Sequence, residues 1–153
     1  MMKKLFILLF FFCSNVLALP QTIDTYLAEN RSWRSEPASQ NYLSIRCAIL
    51  NHMASERLGE QSRGKYASLK EIYDSSTMTF SMIADYSQKV ARISTAATQQ
   101  RVETWGKIYA DELIYNWNTY NSAFHGDVAD DLMTCNKTVL PGFLDYIDSV
   151  TKR

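Results

Sequence analysis

Apolar positions divide this chain into two regimes. Leu5 to Phe12 is an unbroken apolar run of eight residues, and everything after it is interrupted by polar positions at regular steps. From about residue 40 the apolar residues recur every three or four positions, the spacing of helices that bury one face. Gln40 to Leu58 predicts the first strong helix, carried by Tyr42, Leu43, Ile49, Leu50, Met53 and Ala54. Lys65 to about Ala97 predicts a longer one, with Leu69, Ile72, Tyr73, Phe80, Ile83, Ala84, Val90 and Ala91 on one face and a break near Ser94 to Thr98.

Gln99 to Phe124 predicts the next helix, with Val102, Trp105, Tyr109, Leu113, Trp117, Tyr120 and Phe124 as its inner stripe. His125-Gly126-Asp127 then reads as a turn, with Gly126 ending one helix and Asp127 capping the next. Val128, Leu132, Cys135, Val139, Phe143, Tyr146, Ile147 and Val150 keep one angular phase through Pro141-Gly142, which predicts one kinked helix rather than two. Gln21 to Asn30 reads as a short helical turn, and Arg31 to Ser39, with Pro37 and several serines, as a connecting loop. No strand-like alternation competes. The expected fold is all-α, a roughly four-helix bundle spanning 40–153 after an N-terminal extension at 19–39.

The first eighteen residues predict an address. Lys3 and Lys4 precede the apolar run, and Val16 and Ala18 supply small or aliphatic residues at the −3 and −1 positions of a cleavage site after Ala18. That is the layout of a secretory signal peptide, residues 1–18. The run is shorter than the roughly 18 to 20 apolar residues that span a bilayer. The expectation is therefore a periplasmic or secreted protein of 135 residues, Leu19 to Arg153, with no integral membrane segment after cleavage.

Cysteine usage fits export. Cys13 leaves with the leader, and Cys47 and Cys135 remain, a single pair predicted to form one disulfide between the first strong helix and the last. Removing Lys3 and Lys4 leaves 14 basic residues against 16 acidic, a net charge of −2 with histidine neutral. With no basic excess or patch, nucleic acid is not an expected partner.

Candidate chemistry is sparse. His52 and His125 are the two histidines, and neither sits in an HExxH, Glu-x-x-His or CxxCH pattern, so no metal site, no covalently attached haem and no specific cofactor are predicted, while a bundle leaves room for a non-covalent haem on one histidine and one methionine. No GxSxG elbow is present, and the paired cysteines are not free nucleophiles, so no catalytic residue is predicted. Asp111-Glu112 and Asp130-Asp131 are sequence neighbours that point about 100° apart on a helix. Asp130 and Asp131 suit the first turn of a helix, where they complement its dipole. Asn30-Arg31-Ser32 and Asn136-Lys137-Thr138 are glycosylation sequons in a eukaryotic setting.

Two features stand out. Arg46 falls in the middle of a buried helical face, where a charge costs several kcal/mol unless it is paired. It is either an anchor for an anionic ligand or cofactor inside the bundle, or half of an internal ion pair, with Asp85, Asp111 and Glu112 as the candidate acids. Arg57, near a helix end, is expected to reach outward. Met78, Met82, Tyr86 and Ile93, with Tyr115 from the next helix, depart from the inner stripes. They form either an apolar groove for a protein or lipid-like partner, or a second buried face of a central helix. The functional expectation is a non-enzymatic exported binding or accessory protein. The alternative is a carrier of a small anionic or apolar ligand or a non-covalent cofactor inside the helical bundle.

Overall fold

Local signals set most helix ends. The computed structural model describes residues 20–61 and 64–152; the expected signal peptide lies outside them. Helix α1 spans Ile23–Glu29 and starts at Thr22, whose hydroxyl accepts the Thr25 N–H. Helix α2 spans Pro37–Gln61. It begins three residues before the expected start because Pro37 takes the first helical position, where its missing N–H costs nothing. It also runs through Gly59, against which the Lys70 side chain packs at 3.3 Å from where a Cβ would stand.

Helix α3 covers Ala67–Val90 and α4 covers Thr95–Tyr120. Arg92, in the left-handed region at φ 53°, turns the chain between them, and the Ser94 hydroxyl caps α4 by accepting the Ala97 N–H. The far end of α4 differs from the turn expected at His125-Gly126-Asp127. Asn121, not Gly126, provides the left-handed cap, and Asp127 is the first helical residue rather than the cap. Asparagine tolerates that conformation better than other side chains do.

Helix α5, Asp127–Thr134, continues through a π turn at Cys135–Val139 into α6, Leu140–Thr151. The irregularity expected at Pro141 takes this form. Pro141 has no N–H to give and its ring crowds the preceding turn, and a wider turn upstream relieves both.

All described regular structure is helical, and the long helices alternate in direction. Asn41 bonds to the Ala84 carbonyl and Ser55 to Asp74, so α3 runs antiparallel to α2. Asn41 meets Arg101, Arg46 meets Tyr109 and Arg57 meets Trp117, so α4 runs parallel to α2. The Cys47–Cys135 disulfide and the packing of Trp33 on Phe143 set α5 and α6 antiparallel to α2. This is an up-down-up-down bundle stapled by one disulfide, with α1 against α5.

The central helix is α2, not the long α3. It packs against α3, α4 and α5, and its buried residues include Ser39, Gln40, Asn41, Ser44, Arg46, Asn51 and Ser55. A helix covered on three sides needs no single apolar stripe, and polar residues are buried here beside Leu43, Ile45, Leu50 and Ala54. Helix α3 buries a narrow face through Ser76, Phe80, Ala84 and Ser87, with Tyr73 and Ile83 partly covered. Leu69, Ile72 and Val90, expected inside, are 39%, 57% and 48% exposed.

Candidate functional site

The centre of the molecule holds a buried charge. Arg46 is fully buried, and its Nη2 lies 2.6 Å from Asp131 Oδ2. The partner is therefore Asp131 and none of the acids expected from sequence. Asp85 pairs with Lys89 and Asp111 with Lys107 on the surface, while Glu112 has no ion pair among the described residues. Asp131, read as a first-turn dipole partner, points inward instead and is 1% exposed.

The rest of the guanidinium is equally occupied. Nε donates to the Tyr109 hydroxyl at 2.8 Å, Nη1 to the Tyr42 hydroxyl at 3.1 Å and Nη2 also to the Gln21 carbonyl at 2.8 Å. Four of its five N–H groups are thus engaged. Its plane covers the Trp105 ring at 3.7 Å from the centroid. Asp131 in turn accepts from the Ile23 backbone N–H at 2.6 Å and the Tyr109 hydroxyl at 2.8 Å.

Burial dominates the titration of this cluster. It pushes the Asp131 carboxyl up from its ordinary value, against the Arg46 charge and the hydrogen bonds from Ile23, Tyr109 and Arg46. It also lifts the Tyr42 phenol, and the Tyr109 phenol rises well above its usual value. Burial would lower Arg46, but Tyr109, Asp131 and Tyr42 outweigh it and hold the guanidinium above its ordinary value. The cluster ties α1, α2, α4 and α5 together. An anion could reach Arg46 only by displacing partners the protein itself supplies.

A different region is open. Between α3 and α6 lies a cleft of about 630 Å³, within the range of ligand sites. Thr79, Met82, Ile83, Tyr86 and Val90 form the α3 wall. Phe143, Tyr146, Ile147, Val150 and Thr151 form the α6 wall, and Ser35, Pro37 and Gln40 complete the lining. Met82 and Tyr86 are 68% and 66% exposed, so the off-face residues of α3 do not form a second buried face.

Of the groove residues expected from sequence, Met82 and Tyr86 line this cleft. Met78 is 67% exposed one turn before Met82 and extends the stripe beyond the cleft. Ile93 is half-buried in the α3–α4 connection, and Tyr115 is half-buried on α4 with its ring edge-on to Tyr120 at 6.4 Å. The structure does not bring these two to the cleft.

The α6 wall escaped the sequence reading because its residues were assigned to an inner stripe. Its composition held the signal: Leu140, Phe143, Leu144, Tyr146, Ile147 and Val150 are half of a twelve-residue helix. One packed face cannot bury that many. Only Phe143 among them is fully covered, and Leu144, Ile147 and Val150 are 43% to 50% exposed.

A second cleft, about 530 Å³, lies between α2 and α4. His52, Met53, Glu56, Arg57 and Glu60 face Leu113, Ile114, Trp117, Ala123 and Phe124 across it. Arg57 lies over Trp117 at 4.4 Å and pairs with Glu60 at 3.3 Å, the outward reach expected of it. His125 stacks on Tyr120 at 4.1 Å in the α4–α5 turn. Trp33 is buried against Phe143, and Arg34 covers its ring at 4.8 Å.

Among the described residues no three His, Cys, Asp or Glu side chains are placed to hold a metal ion, and no helix is long and apolar enough to cross a membrane. No family model, curated protein or solved structure matches the chain.

Proposed function

We propose that this is an exported binding protein that works through the apolar face of α3 and α6 rather than through catalysis. The observation that carries the reading is the exposure of Met78, Met82 and Tyr86, each about two-thirds open to solvent, beside an apolar cleft. Leaving such side chains in water forfeits the stabilisation that burial gives, roughly 1.5–3 kcal/mol for a large apolar side chain. Contiguous apolar surface of this kind marks interaction sites.

The shape suits a helix. From Thr79 to Val90 the α3 wall is about 16 Å long at 1.5 Å per residue, enough for two to three turns of an amphipathic helix anchored every three or four residues. The flexible methionines adapt to such anchors. Export rests on the leader pattern of residues 1–18, and the disulfide is consistent with an oxidising compartment.

Met82→Ser and Ile147→Ser, made singly in the mature chain, test the binding face. The reading expects unfolding free energies within about 0.5 kcal/mol of the parent, as for surface positions. It also expects reduced fluorescence enhancement of the apolar dye ANS. Collapse of the fold in either variant would show that these residues are packing and not a binding face. Intact mass after export in a bacterial host tests the leader, with Leu19 expected as the first residue.

A further inference from the structure

We propose that the occupant of the α3/α6 face is a second copy of this chain, in a two-fold symmetric dimer. This names the partner of the face described above and rests on that reading.

Met78, Met82, Tyr86 and Val90 follow one another at four-residue intervals and form one continuous ridge along α3. The cleft lies directly beside that ridge. Ridge and groove therefore occupy the same face of the same molecule, as an isologous interface requires of its single patch. Packing a four-residue ridge into the matching groove of an identical helix is inherently symmetric and sets the two helices about −50° apart. With the axis near Met82, the ridge of each copy enters the cleft of the other.

Area and charge agree with this choice. The four ridge side chains with Ile147 and Val150 leave on the order of 600 Å² exposed, most of the ~800 Å² that each partner gives to a standard interface. Two identical surfaces repel when they carry net charge. Here the charge pair beside the ridge, Lys89–Asp85 on α3, is neutralised within each copy.

Sedimentation equilibrium of the mature full chain, with Met82→Lys and Met82→Leu beside it, decides the matter. The expected result is a reversible dimer, with Met82→Lys raising the dissociation constant more than about tenfold and Met82→Leu close to the parent. Lysine there would set like charges against each other in a desolvated centre. A dimer indifferent to Met82→Lys would use another surface, and the proposal would be wrong. A parent chain monomeric at about 100 μM would also overturn it. In that case ANS enhancement that is lost in Met82→Ser would leave the binding face standing. Enhancement indifferent to the substitution would sink both.

Discussion

Arg46 and Asp131 are 85 positions apart in the chain and form a fully buried ion pair at 2.6 Å, beside the Cys47–Cys135 disulfide. Arg46 adjoins Cys47, and Asp131 lies one helical turn before Cys135. A covalent bond and an ionic bond thus join the same two helices at one level. The same carboxylate also holds the N-terminal end of α1 through Ile23 N–H. The N-terminal segment is fastened to the centre of the bundle rather than trailing from it.

Removing one partner of this pair strands the other. Arg46→Met is expected to destabilise the protein by about 3–5 kcal/mol in urea unfolding, and Arg46→Met with Asp131→Leu to recover most of that loss. A more stable Arg46→Met single variant would mean that Arg46 is retained for a ligand.

Reduction of Cys47–Cys135 releases a long loop. In the loop-entropy model the bond is worth roughly 4 to 5 kcal/mol, and measured losses on removing native disulfides are commonly about 2–5 kcal/mol. Unfolding of the Cys47→Ser/Cys135→Ser variant is expected to fall in that range. The Arg46–Asp131 pair keeps α2 and α5 in register, so helical circular dichroism should persist below the lowered midpoint.

Alkaline pH tests the buried phenols. Burial raises Tyr109 and Tyr42 above the ordinary value of 10.0, so folding keeps both protonated. Their contribution to stability is fully present below pH 10 and is lost as pH rises above it, where the unfolded chain releases protons that the folded one retains. Phenolate absorbance should show these two hydroxyls titrating only with unfolding. Tyr109→Phe should make the decline of stability above pH 10 shallower.

Gly142 tests how closely the N-terminal loop is seated. A Cβ at that position would stand 2.4 Å from the Trp33 ring, whose edge packs on α6 beside Phe143. Gly142→Ala is expected to cost about 1–3 kcal/mol by forcing the indole to move. The displaced ring should also disturb the nearby cleft lining at Ser35 and Pro37, detectable as altered ANS enhancement.

The helices were legible because α4, α5 and α6 carry aromatic and aliphatic residues at helical steps that tolerate little else. The disulfide was legible because two cysteines allow one pairing. The central position of α2 was not, since its buried serines and asparagines resemble a solvated face until α3, α4 and α5 are packed around it. Asp131 was hidden for a related reason: an acid in a first turn satisfies the helix dipole whether it points outward or inward. The open cleft followed from the same misplacement of centre, which left α3 with one packed face and α6 with more apolar residues than it could bury.

Binding at the α3/α6 cleft is read out by methionine-methyl NMR of the mature protein. Met78 and Met82 report on that face, Met53 lines the α2/α4 cleft, and Met133 is exposed on α5. On titration with ANS, which competes with the second copy for this face, the Met82 methyl signal is expected to move first, with Met78 beside it, while Met53 and Met133 stay in place. A shift at Met53 with Met82 unmoved would put the binding site between α2 and α4 and contradict the account.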